Sequence, residues 1–162
     1  MENTFENIHH YMGIELNQQT WKLLVKKDRN DTDDHRMLAF AKASLYHWQN
    51  SQEFQLLNEQ RGEWMISHVF SVLGKGEEAL SHGEKCWALT ESLNLQGFDL
   101  GYAYEALARA HGASGHPEKM NEYFLKAKDI GKQIEGNKDK EIFLAHLHSD
   151  PWFECTKPMN DS

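Results

Sequence analysis

The chain has 162 residues, a formal net charge of −8, and 40% hydrophobic against 26% charged residues. That length and apolar share suffice for one domain with a core of its own. The acidic balance argues against a nucleic-acid binder and against a protein held on anionic lipid, since both need a basic field.

Met1 to Leu16 has neither a basic n-region nor an apolar h-region, so no signal peptide is expected. No apolar run approaches the roughly 20 residues of a membrane helix. Cys86 and Cys155 are too few and too scattered for a disulfide framework. The expected location is cytoplasmic.

Apolar residues recur at helical spacing along the chain, and no β-branched cluster suggests a strand. Asn17 is the expected cap of a first helix carrying Trp21, Leu24 and Val25, with Arg29 to Asp34 as a polar turn. Met37, Phe40, Ala41, Ser44, Leu45 and Trp48 continue the stripe in a partner helix. Residues 51–59 exceed what a hairpin here needs, so the next helix is expected to start early, near Phe54 and Leu57. It carries Trp64, Ile66, Val69, Phe70 and Leu73 to a turn at Gly74 and Gly76. Ala79, Leu80, Gly83, Cys86, Trp87, Thr90 and Leu93 line the fourth helix, which Gly97 stops.

Asp99 is the expected cap of a fifth helix with Ala103, Tyr104, Leu107 and Ala108 on one stripe. Gly112 and Gly115 end it, and Pro117 preorganises the first turn of the sixth. That helix spaces Met120, Tyr123, Phe124, Ala127, Ile130 and Ile134 three or four residues apart and stops at Gly136. Asn137 then caps a last helix with Ile142, Phe143, Leu144 and Leu147, closed by Asp150-Pro151, and Cys155 to Ser162 reads as a frayed tail.

Gly74 and Gly115, Glu77 and Glu118, Ala79 and Met120, and Cys86 and Ala127 are each 41 residues apart. A repeat of this length indicates stacked helix hairpins, none of which buries its apolar face alone. The last unit, with Tyr104, Leu107-Ala108, Gly115, Met120, Phe124 and Ala127, resembles the tetratricopeptide repeat. The middle unit gives Ile66-Ser67, Phe70, Gly74, Ala79, Gly83 and Cys86, with Glu63 departing at the large position. The first gives Trp21, Leu24-Val25, Met37, Ala41 and Ser44 and lacks the turn glycine. The stretches Ala43 to Trp48, Arg61 to Trp64 and Phe98 to Ala110 are also similar to those of a small group of uncharacterised bacterial proteins, a resemblance that carries a fold and no activity.

The resemblance implies an all-α, right-handed stack of three hairpins. Their spans are about 17–50, 51–97 and 98–136, with a capping helix over 137–149. Residues 1–150 are then one domain and 151–162 a flexible tail.

In such repeats the first helix of each hairpin lines a concave groove. Carried onto this chain, its groove-facing positions are Arg61, Trp64 and His68, then Tyr102, Glu105 and Arg109, and in the first unit Lys22, Lys26 and Arg29. Three- and four-residue steps keep each set on one helix face. Five fixed positive charges against one negative then predict a locally basic groove for an anionic peptide or ligand. Arg61 and Arg109 are its expected anion holders, with Trp64 and Tyr102 as the apolar platform. The bland reading is a set of solvated helix faces, with Glu105 and Arg109 as a four-residue ion pair of ~0.3–0.5 kcal/mol. A second copy of the chain is the alternative partner.

A metal site is not expected. His9 and His10 are adjacent, and His146 and His148 stand two apart, so neither pair shares a helix face. Gly74-Lys75-Gly76 lacks the spacing of a phosphate loop, and no Gly-x-Ser-x-Gly elbow occurs. Cys86 falls on a packing position. The one catalytic constellation is Glu105 as a general base beside His68 and Arg109, and the leading expectation is a non-catalytic adaptor without a cofactor.

Overall fold

The structure, a computed structural model, describes residues 4–153, with side chains from residue 7 onward. Seven α-helices and no strand occur among the described residues. They are α1 (Thr4–Leu24), α2 (Asp31–Gln49), α3 (Leu56–Val72), α4 (Gly76–Ser92), α5 (Gly97–Ala113), α6 (Pro117–Gln133) and α7 (Asn137–His148). Helices α1 with α2, α3 with α4 and α5 with α6 pack as hairpins, α4 against α5 and α2 against α3 join them, and α7 rests on α6 and α5. The period is visible in the backbone: α3 and α5 start 41 residues apart, as do α4 and α6.

Three helices end the same way for the same reason. After α3, α4 and α5 the residues Gly74, Asn94 and Gly115 take positive φ (74°, 49° and 74°). The following N–H reaches back to a last-turn carbonyl: Lys75 to Phe70, Leu95 to Thr90 and His116 to His111, each at 2.9–3.0 Å. This closure satisfies carbonyls that the helix leaves without partners and reverses the chain toward the next helix. Glycine reaches that conformation without strain.

Other starts differ from expectation. Helix α1 begins at Thr4, so Asn17 lies in its interior. Gln96, not Asp99, is the N-cap of α5, and Asp99 stands in its first turn. Gly136 caps α7, with Asn137 its first residue. Asn30 caps α2 with a reciprocal box through Asp33.

The core runs through all three hairpins. Met37, Ala41, Val69, Ala79, Cys86, Ala103, Met120, Phe124, Ala127, Phe143 and Leu147 are essentially inaccessible to solvent. Burial pushes the Cys86 thiol up to about 12, so it is a packed thiol with little thiolate. The body extends past the expected boundary at residue 150, because Trp152 is buried against Phe124. The expected frayed tail, Cys155 to Ser162, lies outside the described residues. Among the described residues, no helix is long and apolar enough to cross a membrane.

Candidate functional site

Helices α3 and α5 lie side by side, and equivalent positions in them are 41 residues apart. Trp64 and Glu105 are such a pair, and the indole Nε1–H donates to Glu105 Oε2 at 2.8 Å. Arg109 Nε donates to Glu105 Oε1 at 2.6 Å. His68, equivalent to Arg109, places Nδ1 3.6 Å from the same oxygen, within ion-pair range but beyond a hydrogen bond. Burial alone would raise the Glu105 carboxyl; the Arg109 charge and the His68 contact more than offset it and hold it at about 2.

Arg109 is itself fully buried. Its Nη1 donates to the carbonyls of Ser149 and Pro151, both at 3.0 Å, and its Nη2 to that of His146 at 3.1 Å. With the bond to Glu105, four of its five N–H donors serve the protein's own groups. The guanidinium also lies 4.2 Å from the centre of the Trp152 ring. Arg109 therefore latches the end of α7 onto α5, where a cation also complements exposed helix carbonyls.

Arg61 and Arg109, the expected anion holders, are both engaged by the protein's own groups. Arg109 is sealed in. Arg61 is 56% exposed but already forms a forked pair with Asp99, Nε to Oδ1 at 2.9 Å and Nη2 to Oδ2 at 3.2 Å.

What remains open is a groove in two compartments. The first, about 320 Å³, lies between α1, α3, α5 and α7 and is walled by the rings of Trp21, Trp64, Phe98 and Tyr102, with Asn17, Gln60, His146 and the Arg61–Asp99 pair as its polar edge. Trp64 meets Tyr102 edge-on at 5.1 Å between centroids, and Phe98 meets Tyr102 at 4.7 Å. The Tyr102 hydroxyl is 2.7 Å from His146 Nδ1. Burial lowers the His146 pKa and raises that of Tyr102, so burial favours the neutral form of both, and the imidazole tautomer sets which of the two donates.

The second compartment, about 620 Å³, shares Trp21, Trp64 and His146 with the first, and Lys26, Lys27, Arg29, His68 and Pro151 also border it. The shared wall is a stack: Trp21 lies over Trp64 at 5.9 Å and over His146 at 5.3 Å, joining α1 to α7. On its border Lys26 pairs with Asp33 at 2.6 Å and Arg29 with Asp34 at 2.9 Å. Arg29 also donates to the carbonyls of Leu23, Leu24 and Lys26, finishing α1. Lys27 is exposed.

Of the expected groove residues, Trp64, His68, Tyr102, Glu105 and Arg109 fall in one contact network, Arg61 at its edge, and Lys26 and Arg29 on the adjacent compartment. Lys22 is exposed and lies outside the lining of both compartments. Trp21, Gln60, Phe98 and His146 were not anticipated. Gln60 had a legible signal, one helical turn before Trp64 on the same face, whereas His146 depends on α7 folding back over the groove.

Among the described residues no group of three or more His, Cys, Asp or Glu side chains could hold a metal ion. His47 meets His9, Nδ1 to Nδ1 at 2.8 Å. Comparison of the chain with protein-family models, with curated proteins and with solved structures finds no match.

Proposed function

We propose that this protein is a non-catalytic, tetratricopeptide-like binding module of the cytoplasm. Its concave groove takes a short segment of a partner polypeptide. An apolar residue enters the aromatic compartment, and a neighbouring acidic residue meets the exposed Lys27 on the border of the second compartment. The observation that supports this reading is the joining of the two compartments through one shared wall, apolar rings on one side and cations on the other. A cleft of about 320 Å³ also falls within the roughly 300–1,000 Å³ of small-ligand sites. Helix starts 41 residues apart support the repeat reading, and a buried, unpaired Cys86 suits a reducing compartment.

The test is fluorescence anisotropy with labelled acidic peptides that carry one central apolar residue. Binding that weakens with salt, falls in Lys27→Glu and is lost in a folded Trp21→Ala variant supports the groove. Affinity unchanged in both variants refutes it.

The same geometry gives little support to an enzyme. A carboxylate held at about 2 and tied to Arg109 and Trp64 is a poor proton acceptor near neutral pH. A second copy as partner has one observation in its favour: Ile8, Tyr11 and Ile14, three residues apart on α1, are 40–61% exposed. A mass that rises with concentration would support that reading.

A further inference from the structure

One polar residue lining the aromatic compartment has a bond missing. Gln60 lines it, yet is only 1% exposed. Its Nε2 donates to Thr90 Oγ1 at 3.1 Å and to the Asp99 carbonyl at 3.4 Å. Thr90 Oγ1 in turn donates to the Cys86 carbonyl, so that hydroxyl accepts from Gln60. Both partners of Nε2 are acceptors, which fixes the amide orientation. The Gln60 Oε1 atom is then an acceptor out of contact with solvent that no protein donor reaches. Such an atom is costly to bury without a donor.

We infer that the group seated in the aromatic compartment is a flat apolar ring carrying an N–H donor, the indole of a partner's tryptophan, with its N–H directed to Gln60 Oε1. This rests on the groove reading above and specifies its occupant. Four rings form the walls, so the body of the ligand is planar and apolar, packing by offset and edge-on contacts. The unfilled group on the lining residue Gln60 is an acceptor, so the ligand brings a donor. Tryptophan is the side chain that joins an apolar ring to a donor with no acceptor. The exposed Lys27 bordering the second compartment favours an acidic residue beside it.

The test uses the whole protein and three probes in calorimetric titrations. The first is a short acidic peptide with one central tryptophan. The second is the same peptide with 3-benzothienylalanine, which keeps the ring shape and replaces N–H by sulfur. The third is free indole. The expected result is binding of the tryptophan peptide, with the benzothienyl peptide about 5–10-fold weaker, the ratio that one neutral hydrogen bond supplies. In Gln60→Met the two peptides become equal. If that variant does not fold, the comparison on the unaltered protein still decides.

Equal affinity of both peptides for the unaltered protein overturns the assignment to Gln60 and leaves the groove standing. Free indole binding as tightly as the tryptophan peptide overturns the peptide as source and makes the cleft a small-molecule site. Binding by none of the three overturns the inference and the groove reading together.

Discussion

Replacing Arg109 by methionine removes the fork and keeps most of the side-chain volume. In the native protein Glu105 is 1% and Arg109 0% exposed, so the loss leaves a carboxylate buried without its main counter-charge. Breaking a buried pair from one side costs about 3–5 kcal/mol. The carboxyl itself gives a second figure: holding it at about 2 rather than 4.5 corresponds to roughly 3 kcal/mol of native-state preference for the charged form. The two agree. For a chain of this length the midpoint of thermal unfolding should drop by roughly 6–20 °C.

The pH dependence should also change sign. In the native protein the folded pKa lies below its ordinary value. Its contribution is complete above pH 4.5 and is lost as the pH falls toward about 2. In Arg109→Met burial dominates and the folded pKa moves above its ordinary value. The variant then gains stability as pH falls through the raised value and loses it as pH rises. Urea unfolding followed by circular dichroism, over roughly pH 5 to 7, reads both effects. The double variant Glu105→Gln/Arg109→Met should recover part of the loss, since no charge is left unpaired. A single variant within about 1 kcal/mol of the native protein at neutral pH, with an unaltered pH profile, would refute the buried-latch reasoning.

Three further outcomes follow from other parts of the fold. Burial, then the charge of His9, lowers the His47 pKa. Its contribution is present above about 6.5 and is lost as the pH falls below it, so His47→Phe should flatten the acid side of the stability profile there, read by urea titrations. A Cβ on Gly76 would stand 2.7 Å from the backbone N and Cα of Ser114, so Gly76→Ala should cost about 1–3 kcal/mol in chemical unfolding, since backbone cannot step aside. Cys86 is buried with its thiol at about 12. In a Cys155→Ser variant Ellman's reagent should label no thiol in the folded protein and one after unfolding.

The last two helix pairs were legible because equivalent residues return 41 positions apart with their turn glycines. The start of α1 was not. Asn17 is a good cap by composition, but Ile8, Tyr11 and Ile14 ahead of it are exposed and leave no buried stripe to mark the earlier turns. Asp99 was misplaced for a related reason: a carboxylate in the first turn suits a helix start as well as a cap does, and this one pairs with Arg61 across α3 and α5.

In the groove, helix spacing identified which residues share a face, and it found the pairing of Glu105 with Arg109. It missed their depth. The four-residue pair reads as a surface bridge until Ser149 and Pro151 fold over it, and nothing in local spacing encodes that return. In the proposed groove the cation left to meet an acidic partner is therefore the exposed Lys27 rather than Arg61 or Arg109.

The most direct measurement is a titration of nitrogen-15-labelled protein with the acidic tryptophan peptide, following backbone amide, indole and side-chain amide resonances. The account predicts that the signals of Trp21, Trp64 and the Gln60 amide move together and saturate, while those of Trp87 and Trp152 stay in place. Shifts confined to Ile8, Tyr11 and Ile14 on α1, or none at the groove, would contradict it.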